Sequence, residues 1–350
     1  MRLQAISKTP SRGSADFGFG IGEPSVYIHL TSRIHEGDQT PAHCPQRWAP
    51  VPSIYAPNRV ARRFSPPTRF SLITQNLDGL SSRPVARARQ LLDNLLRDHL
   101  FRECKVPDII FLQEVTLGVR DAILDDPKIR NAFLVTDAED KTSFDDVPFA
   151  NMTLLLSQRF AIDPESQREK DRVQGGEKFR LGPVSRIALP SKYGRHALSV
   201  DIISPYDPDT ACRLVNVHLD SLGVTLPNRI KQVKILSDLL REPGCGGGLI
   251  AGDFNAISPE DHTLLDKNEL VDAWVKLHGE QGLDGATWGI GVDRQHGLGP
   301  GRLDKVAMLG VQADGMEILP PGLIEVPKPG GISDIVPYSD HHGLKLSFMV

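Results

Sequence analysis

Polar and charged side chains stand at the ends of several apolar segments of this chain. Each segment has the pattern of a buried β-strand, and carboxylates, amides or histidines lie beside it. A rigid scaffold builds a binding or catalytic site in this way, because strand ends hold side chains in fixed positions. A single aspartate after a strand usually caps a turn, but a series of such endings indicates an active site. The series consists of Asn76, Asp78, Gln113, Glu114, His218, Asp220, Asp253, Asn255, Asp304, Asp340 and His341.

Two carboxylates in this series, Glu114 and Asp340, are hard oxygen ligands of the kind that bind Mg²⁺. This ion takes one or two protein carboxylates and fills the rest of its shell with water and phosphate oxygens. Asn76 and Asn255 carry amides that can orient a phosphate or a water molecule without adding charge. These four residues therefore predict a divalent metal and a phosphorylated substrate.

The remaining residues can transfer protons and stabilise charge. Asp253 can align an attacking water molecule and accept its proton. His218 and His341 can donate hydrogen bonds to phosphoryl oxygens. Asp304 can hold one of these histidines in the donor tautomer and raise its pKa. Together with the metal ligands, these residues predict metal-assisted hydrolysis of a phosphate ester.

The composition narrows the class of protein. The chain has 350 residues, with 40 Lys and Arg against 44 Asp and Glu, and a formal net charge of −4. This charge excludes a protein that coats nucleic acid through bulk positive charge, but it does not exclude one basic groove. The four cysteines form no CxxC pair, which argues against zinc fingers. No apolar run reaches the ~18 residues that a membrane span needs, so we expect no membrane partner.

The order of the segments predicts one catalytic domain behind an irregular leader. Residues 1–47 are rich in Gly, Ser, Pro and Thr, and we expect them to be disordered or loosely attached. In residues 48–350, helical patterns separate some of the strand-like segments and hairpins separate others. This mixture favours an α/β (α+β) fold in which mixed sheets lie under covering helices.

Six short motifs, taken in order, resemble those of the endonuclease/exonuclease/phosphatase superfamily. The resemblance implies a four-layer α/β sandwich with two mixed β-sheets packed face to face and covered by helices. It also implies that the enzyme is a metal-dependent phosphoric diester hydrolase. The motifs are Thr74-Gln75-Asn76, Leu112-Gln113-Glu114-Val115, His218-Leu219-Asp220-Ser221, Gly252-Asp253-Phe254-Asn255, Arg302-Leu303-Asp304-Lys305 and Ser339-Asp340-His341.

The resemblance implies a metal site and a water site. Glu114 would bind Mg²⁺, with Asp340 as its partner and Mn²⁺ as a substitute ion. Asp253 would activate the nucleophilic water, and Asn255 would position it.

The resemblance also implies which residues meet the phosphate. Asn76 and His218 would hold the scissile phosphate. His341, paired with Asp304, would stabilise the in-line transition state.

Within the superfamily, the motifs are most similar to the tyrosyl-DNA phosphodiesterase branch. The segment Asn76-Leu77-Asp78-Gly79-Leu80 and the pair Thr287-Trp288 carry this similarity. Asp78, Ser221 and Trp288 would then belong to the substrate groove. The branch implies a monomeric DNA-repair enzyme of the nucleus that cleaves 5′-phosphotyrosyl-DNA. Its partners would be DNA, at 5′ or single-stranded ends, and the peptide remnant of a trapped topoisomerase.

The chain also departs from that branch. Gln75 stands where a Trp is usual, and Phe254 stands where a Thr is common. Ala256-Ile257 follows the Asp253 motif where the branch tends to carry an Arg that helps to hold the substrate. The stretch Ser191-Lys192-Tyr193-Gly194-Arg195, in contrast, is similar to that branch.

Two alternatives stay open at this point. The same site could act on another phosphodiester, as an abasic-site DNA endonuclease, an RNA exonuclease or deadenylase, or a phospholipid or inositol phosphate hydrolase. The residues that act on the phosphate do not separate these substrates, because the phosphate is common to all of them. The chain could also be an inactive member that only binds nucleic acid. The presence of both Glu114 and His341 argues against inactivity.

Overall fold

A computed structural model describes most of the chain from residue 68 onward. The described residues are 26–27, 30–33, 48–51, 68–101, 106–161, 178–279, 285–291, 298–327, 331 and 333–350. Their strands form two sheets of eight strands each and one separate hairpin. No helix among these residues is long and apolar enough to cross a membrane.

Sheet A contains both parallel and antiparallel neighbours. Its strands are β1 (Val26–Tyr27), β8 (Phe160–Ala161), β9 (Phe179–Ala188), β10 (His196–Ser204), β11 (Asp207–His218), β12 (Cys245–Asp253), β13 (Val271–Asp272) and β14 (Asp304–Leu309).

Sheet B is also mixed. Its strands are β2 (Leu30–Arg33), β3 (Trp48–Val51), β4 (Arg69–Asn76), β5 (Ile109–Val115), β6 (Phe133–Thr136), β7 (Ala150–Leu156), β15 (Gln312–Leu319) and β18 (Gly343–Met349). The separate hairpin pairs β16 (Leu323–Pro327) with β17 (Ser333–Pro337).

The helices cover the outer faces of the two sheets. Two short 3₁₀ turns, Thr142–Phe144 and Gly223–Thr225, complete the regular structure of the described residues. The α-helices are α1 (Pro84–Phe101), α2 (Leu117–Asp125), α3 (Pro127–Ala132), α4 (Leu226–Leu239), α5 (Pro259–His262), α6 (Leu264–Lys267) and α7 (Ala273–His278).

Three hydrophobic clusters hold the layers together. The largest lies between the sheets, where the Phe70 ring meets the Phe179 ring edge-on at 4.8 Å between centroids. A second cluster packs α1 and α2 against sheet B, and a third packs α4 against sheet A. The run Ile109–Leu112 of β5 is fully buried because both faces of its sheet are covered. The predicted four-layer α/β sandwich is confirmed.

The register of the strands decides where the polar endings meet. In sheet B, β4 runs parallel to β5, with Asn76 opposite Gln113. In sheet A, β11 runs parallel to β12, with His218 opposite Asp253, and Asp304 of the antiparallel β14 faces Asp253. Parallel strands end at the same edge of a sheet. The polar endings of each sheet therefore collect at a single edge.

The proposed boundary between residues 1–47 and 48–350 stays a prediction. Most of residues 1–47 lie outside the described residues. Two short segments among them are described, and both are strands. Val26–Tyr27 pairs with β9 of sheet A, and Leu30–Arg33 pairs with β3 and β6 of sheet B.

Candidate active site

Strand ends from both sheets meet at one end of the sandwich. Asn76 ends β4 and Glu114 lies near the end of β5, while His218 and Asp253 end β11 and β12. The side-chain amide of Asn76 donates a hydrogen bond to Oδ2 of Asp253 at 3.1 Å. This bond joins sheet B to sheet A directly, so residues that are distant in sequence form one site.

Asp304 and His341 form a hydrogen-bonded pair inside this site. Nδ1 of His341 lies 2.7 Å from Oδ2 of Asp304, and Nε2 lies 3.8 Å from Oδ2 of Asp253. Burial alone would lower the pKa of the His341 imidazole, but the Asp304 and Asp253 carboxylates raise that pKa well above its usual range. His341 is therefore a charged donor, which suits the stabilisation of negative charge on a phosphoryl group.

Asp253 is a buried carboxylate whose pKa lies near neutrality. Burial raises the pKa of Asp253 to about 7, and the charge of His341 limits the rise. Its Oδ1 accepts a hydrogen bond from the backbone N–H of Asn255 at 2.8 Å. A carboxylate with this pKa can both accept and release a proton at neutral pH, as the activation of a water molecule requires.

His218 is held as a neutral donor. Burial lowers its pKa well below the usual range, and the charges of Arg195 and His341 add to that shift. Its ring stacks on Phe149, with 5.5 Å between centroids and 11° between planes. Nε2 lies 3.4 Å from Oδ2 of Asp253, whereas Nδ1 is buried and has no hydrogen-bond partner among the described residues.

Glu114 is fixed by the loop that follows β4. Its Oε2 accepts a hydrogen bond from the backbone N–H of Gly79 at 2.9 Å, and its Oε1 accepts one from Asn76 at 3.3 Å. A Cβ atom at position 79 would lie 2.2 Å from the carbonyl oxygen of Glu114, so only glycine fits there. Glu114 itself has a positive φ of 55°, at an irregularity in the pairing of β5 with β7. Such local strain is common at functional sites.

The carboxylates of Asp78, Glu114 and Asp340 interact electrostatically. Burial raises the pKa of Asp78 to about 7, and repulsion from Asp340 adds to the rise, although Arg87 lies 3.1 Å away. Burial also raises the pKa of Glu114. A divalent cation would offset this surplus negative charge, and carboxylate oxygens are the ligands that Mg²⁺ prefers. Glu114 and Asp340 therefore fit the metal predicted for them.

Asp253, Asp304 and His341 form a second group of potential ligands, with atoms that all lie within 4.8 Å of one another. The residue types of these three side chains predict proton transfer and charge stabilisation. A metal at this position would have to replace the hydrogen bond that already joins His341 to Asp304. Glu114 and Asp340 therefore stay the predicted metal ligands.

A cleft of about 740 Å³ opens over the site, and Ser221 and Trp288 lie in its walls. The indole N–H of Trp288 donates a hydrogen bond to Oδ2 of Asp340 at 2.9 Å, which fixes the ring beside a predicted metal ligand. Asp78, predicted to contact substrate, turns toward Arg87 and does not line the cleft. The catalytic candidates that do line it are Glu114, His218, Asp253, Asn255, Asp340 and His341.

One wall of the cleft carries an arginine to which the sequence analysis gave no role. The guanidinium carbon of Arg195 lies 5.1 Å from the centroid of the Phe149 ring and 5.8 Å from that of Tyr193. Within the described part of the chain, its buried Nε has no hydrogen-bond partner and no carboxylate pairs with it. Burial lowers the pKa of Arg195, while attraction to Asp253 and Glu114 opposes that shift.

The sequence indicates the importance of Arg195 in this wall but not that of Phe149. Arg195 lies in the stretch Ser191–Arg195, whose similarity to the tyrosyl-DNA phosphodiesterase branch was the only indication of its importance. Phe149 follows a polar loop and gave no signal, because its contact with His218 depends on how the two sheets pack.

Fold and site together define the family. The model of the endonuclease/exonuclease/phosphatase family matches residues 73–341, which is more than half of the chain, and the chain belongs to that family. Enzymes of this family are metal-dependent phosphoesterases. No curated protein sequence matches the chain significantly.

Solved structures with this fold include proteins named for different activities. TDP2 from D. rerio, complexed with single-strand DNA product, is 21% identical with a TM-score of 0.55, over 80% of this chain and 99% of that one. Truncated TDP2 from Caenorhabditis elegans is 19% identical with a TM-score of 0.54, over 81% and 98% of the two chains. A mannosyl-6-phosphatase from Bacteroides thetaiotaomicron is 13% identical with a TM-score of 0.53, over 80% and 99%.

Proposed function

We propose that this protein is a Mg²⁺-dependent phosphodiesterase that hydrolyses the bond between a 5′ DNA phosphate and a tyrosine. It would remove trapped topoisomerase adducts and so serve DNA repair in the nucleus. The sequence motifs resemble the tyrosyl-DNA phosphodiesterase branch, and TDP2 structures share the fold, one of them with single-strand DNA product. Both observations support the proposal.

The observation that carries the proposal is the unpaired Arg195 against aromatic rings. Hydrolysis of a phosphotyrosyl bond releases a phenolate, whose conjugate acid has a pKa of about 10. Such a leaving group departs as an anion that is delocalised over a ring. A guanidinium beside Phe149 and Tyr193 offers this anion both a positive charge and an apolar face. No protonated acid is needed on this wall.

The residues of the site divide the reaction among them. Asp253, with its pKa near 7, would take the proton of the attacking water. His341, charged because of Asp304, would donate to a phosphoryl oxygen as negative charge develops there. His218, held neutral, would donate a hydrogen bond to the same phosphate. Asn255 would orient the water through its side-chain amide.

Glu114 and Asp340 would hold Mg²⁺, which when bound supplies positive charge to the phosphate oxygens. Asn76 and Gly79 fix Glu114 from one side, and Trp288 fixes Asp340 from the other. The orientation of both carboxylates is thus set before an ion binds. Such preorganisation is how surrounding hydrogen bonds support metal ligands.

The first experiment is a gel assay on labelled oligonucleotides, with and without Mg²⁺. The oligonucleotides carry a 5′-phosphotyrosine, an abasic site or an RNA 3′ end, and a sugar 6-phosphate serves as a phosphomonoester control. We expect Mg²⁺-dependent release of 5′-phosphate DNA from the tyrosyl substrate alone. Cleavage of one of the other substrates in its place would overturn the proposed substrate.

The role of Arg195 is tested by changing the leaving group. We expect Arg195→Gln to lower kcat on phosphotyrosyl-DNA by about a hundredfold. On the p-nitrophenyl ester of the same phosphate the loss is small, because nitrophenolate is a weaker base that leaves without a cation. Arg89→Gln, on the exposed face of α1, is the matched control and leaves both rates unchanged. Equal losses on both substrates would contradict the role.

A further inference from the structure

Leu222 has a backbone conformation that leucine rarely adopts. Its φ is 73° and its ψ is 156°, a region that is populated almost only by glycine. Seven other non-glycine residues of the described chain have a positive φ, and all of them are polar or charged. Asparagine and aspartate tolerate such angles better than a branched apolar residue does. Leu222 is also followed directly by Gly223, so a glycine placed one residue earlier would have avoided the strain.

A buried ion pair holds Leu222 in this conformation. The carbonyl oxygen of Leu222 accepts hydrogen bonds from Nη1 of Arg229 at 2.8 Å and from the hydroxyl of Thr225 at 2.8 Å. Arg229 is fully buried. Its Nε donates a hydrogen bond to Oδ1 of Asp261 at 2.7 Å, and its Nη2 donates one to Oδ2 at 2.9 Å. Surrounding structure of this kind is needed for a strained residue to persist.

The same ion pair also holds a second segment beside the cleft. Oδ2 of Asp261 accepts hydrogen bonds from the backbone N–H of Ser258 at 3.0 Å and from its hydroxyl at 2.8 Å. Ser258 follows Ile257 directly, and Ile257 lines the cleft together with Leu222. The pair Arg229–Asp261 therefore fixes two apolar side chains of one cleft at once.

The strained conformation of Leu222 does not contribute to the packing of the hydrophobic core. Its side chain is 52% exposed and lines the cleft, so the protein does not need it to fill the interior. Val224, two residues later, is 76% exposed and does not line the cleft. What the conformation does achieve is to place an apolar group at the mouth of the active site.

We propose that Leu222 is a specificity-determining residue that packs against the nucleobase next to the scissile phosphate. This inference rests on the proposed function, because it assumes a nucleic-acid substrate. A leucine carries no donor or charge and so cannot hold the phosphate. The wall of Arg195 and Phe149 already suits the leaving group, which leaves the nucleoside for Leu222 and Ile257. Apolar contact with the face of a base tolerates any sequence.

The test compares two p-nitrophenyl phosphodiesters that share the scissile bond. One is thymidine 5′-(p-nitrophenyl phosphate), and the other is methyl p-nitrophenyl phosphate, which has no nucleoside. We expect Leu222→Gly to raise KM for the thymidine ester by about tenfold, the worth of one buried apolar side chain. Its kcat/KM for the methyl ester stays at the wild-type value. Because glycine relieves the strain, the melting temperature does not fall.

Two further variants separate contact from structure. Leu222→Met keeps an apolar side chain, and we expect its KM for the thymidine ester to stay near the wild-type value. Val224→Gly makes the same kind of change in the same loop outside the cleft, and we expect no change in either substrate.

Three results would overturn the inference. A melting temperature of Leu222→Gly that falls while both substrates lose activity equally would make Leu222 structural. An unchanged KM for the thymidine ester would show that Leu222 does not touch the nucleoside. A wild-type enzyme that does not prefer the thymidine ester would show the same. Failure of the proposed function would appear elsewhere, as absence of wild-type activity on phosphotyrosyl-DNA.

Discussion

Buried charge is arranged differently in the active site and in the Arg229 cluster, which is the buried ion pair of Arg229 with Asp261. Every nitrogen of the Arg229 guanidinium donates a hydrogen bond, and both oxygens of Asp261 are engaged by it. In the active site, Nδ1 of His218 is buried without a hydrogen-bond partner in the part of the chain that the structure describes, and burial raises the pKa of Asp253 to about 7. Both regions are closed to solvent to a similar degree, so exposure does not explain the difference.

The difference distinguishes a cluster that stabilises the fold from a site that can carry out a reaction. A buried charge whose hydrogen bonds are all made has one stable protonation state, and it holds the backbone around it. A buried group whose hydrogen bonds are not all made, or whose pKa lies near 7, can change its protonation state or its hydrogen-bond partners when substrate binds. Substitutions in the active site should therefore reduce rate more than stability, and substitutions in the Arg229 cluster should do the reverse.

The largest effect is expected at Glu114. Glu114→Gln removes a predicted metal ligand but keeps an acceptor for the Gly79 N–H. We expect the Mg²⁺-dependent rate on phosphotyrosyl-DNA to fall by more than about a hundredfold. The melting temperature stays near the wild-type value, and the exposed Glu139→Gln is the control. Undiminished Mg²⁺-dependent activity would refute the assignment of Glu114.

A smaller loss of rate is expected at Asp304. Asp304→Asn keeps the shape of the side chain but removes the charge that favours protonated His341. We expect kcat to fall by about a hundredfold, because His341 becomes a weaker stabiliser of charge on the phosphate, while KM changes little. Steady-state kinetics measure both constants, and Asp266→Asn, a substitution at an exposed position, is the control. A raised KM with an unchanged kcat would be inconsistent with a positioning role.

The smallest effect on chemistry, and the largest on stability, is expected at Arg229. Arg229→Met leaves Asp261 buried without its partner, which costs about 3–5 kcal/mol of unfolding free energy. We expect denaturant unfolding to show this loss, while kcat on methyl p-nitrophenyl phosphate stays unchanged. The double variant Arg229→Met/Asp261→Leu should recover most of the stability.

The control for this prediction is a pair at the surface. Lys234 pairs with Asp238 one turn away on α4, and both side chains are more than half exposed. Lys234→Met should change the unfolding free energy by less than about 0.5 kcal/mol. If Arg229→Met were no more destabilised than Lys234→Met, the contrast between the two regions would be wrong.

Much of the site could be predicted because the ends of strands place side chains at regular positions. The apolar pattern of Phe70–Asn76 is typical of a strand, and the structure has one at Arg69–Asn76. Pro84 is typical of the first turn of a helix, and α1 begins there. Such local patterns depend on neighbours in sequence. The meeting of Asn76 with Asp253 follows from the family resemblance, not from any local pattern.

Other parts could not be predicted, since they depend on contacts between distant segments. Phe149 reaches His218 only because β7 of sheet B faces β11 of sheet A. The sequence of the edge strand β15, Gln312–Leu319, contains Gly315 and lacks a clear alternation of apolar and polar residues, so it does not predict a strand. The turn of Asp78 toward Arg87 depends on how α1 packs, and its predicted substrate contact stays a prediction.

The last strand of sheet B has a consequence for how the protein is made. β18, Gly343–Met349, lies beside β4, and His341 stands immediately before it. A ribosome synthesises β4 early and β18 only after the rest of the described chain. Until β18 leaves the exit tunnel, sheet B lacks one of its inner strands and the site lacks its charged histidine. A nascent chain therefore lacks the complete candidate site until synthesis has passed residue 349.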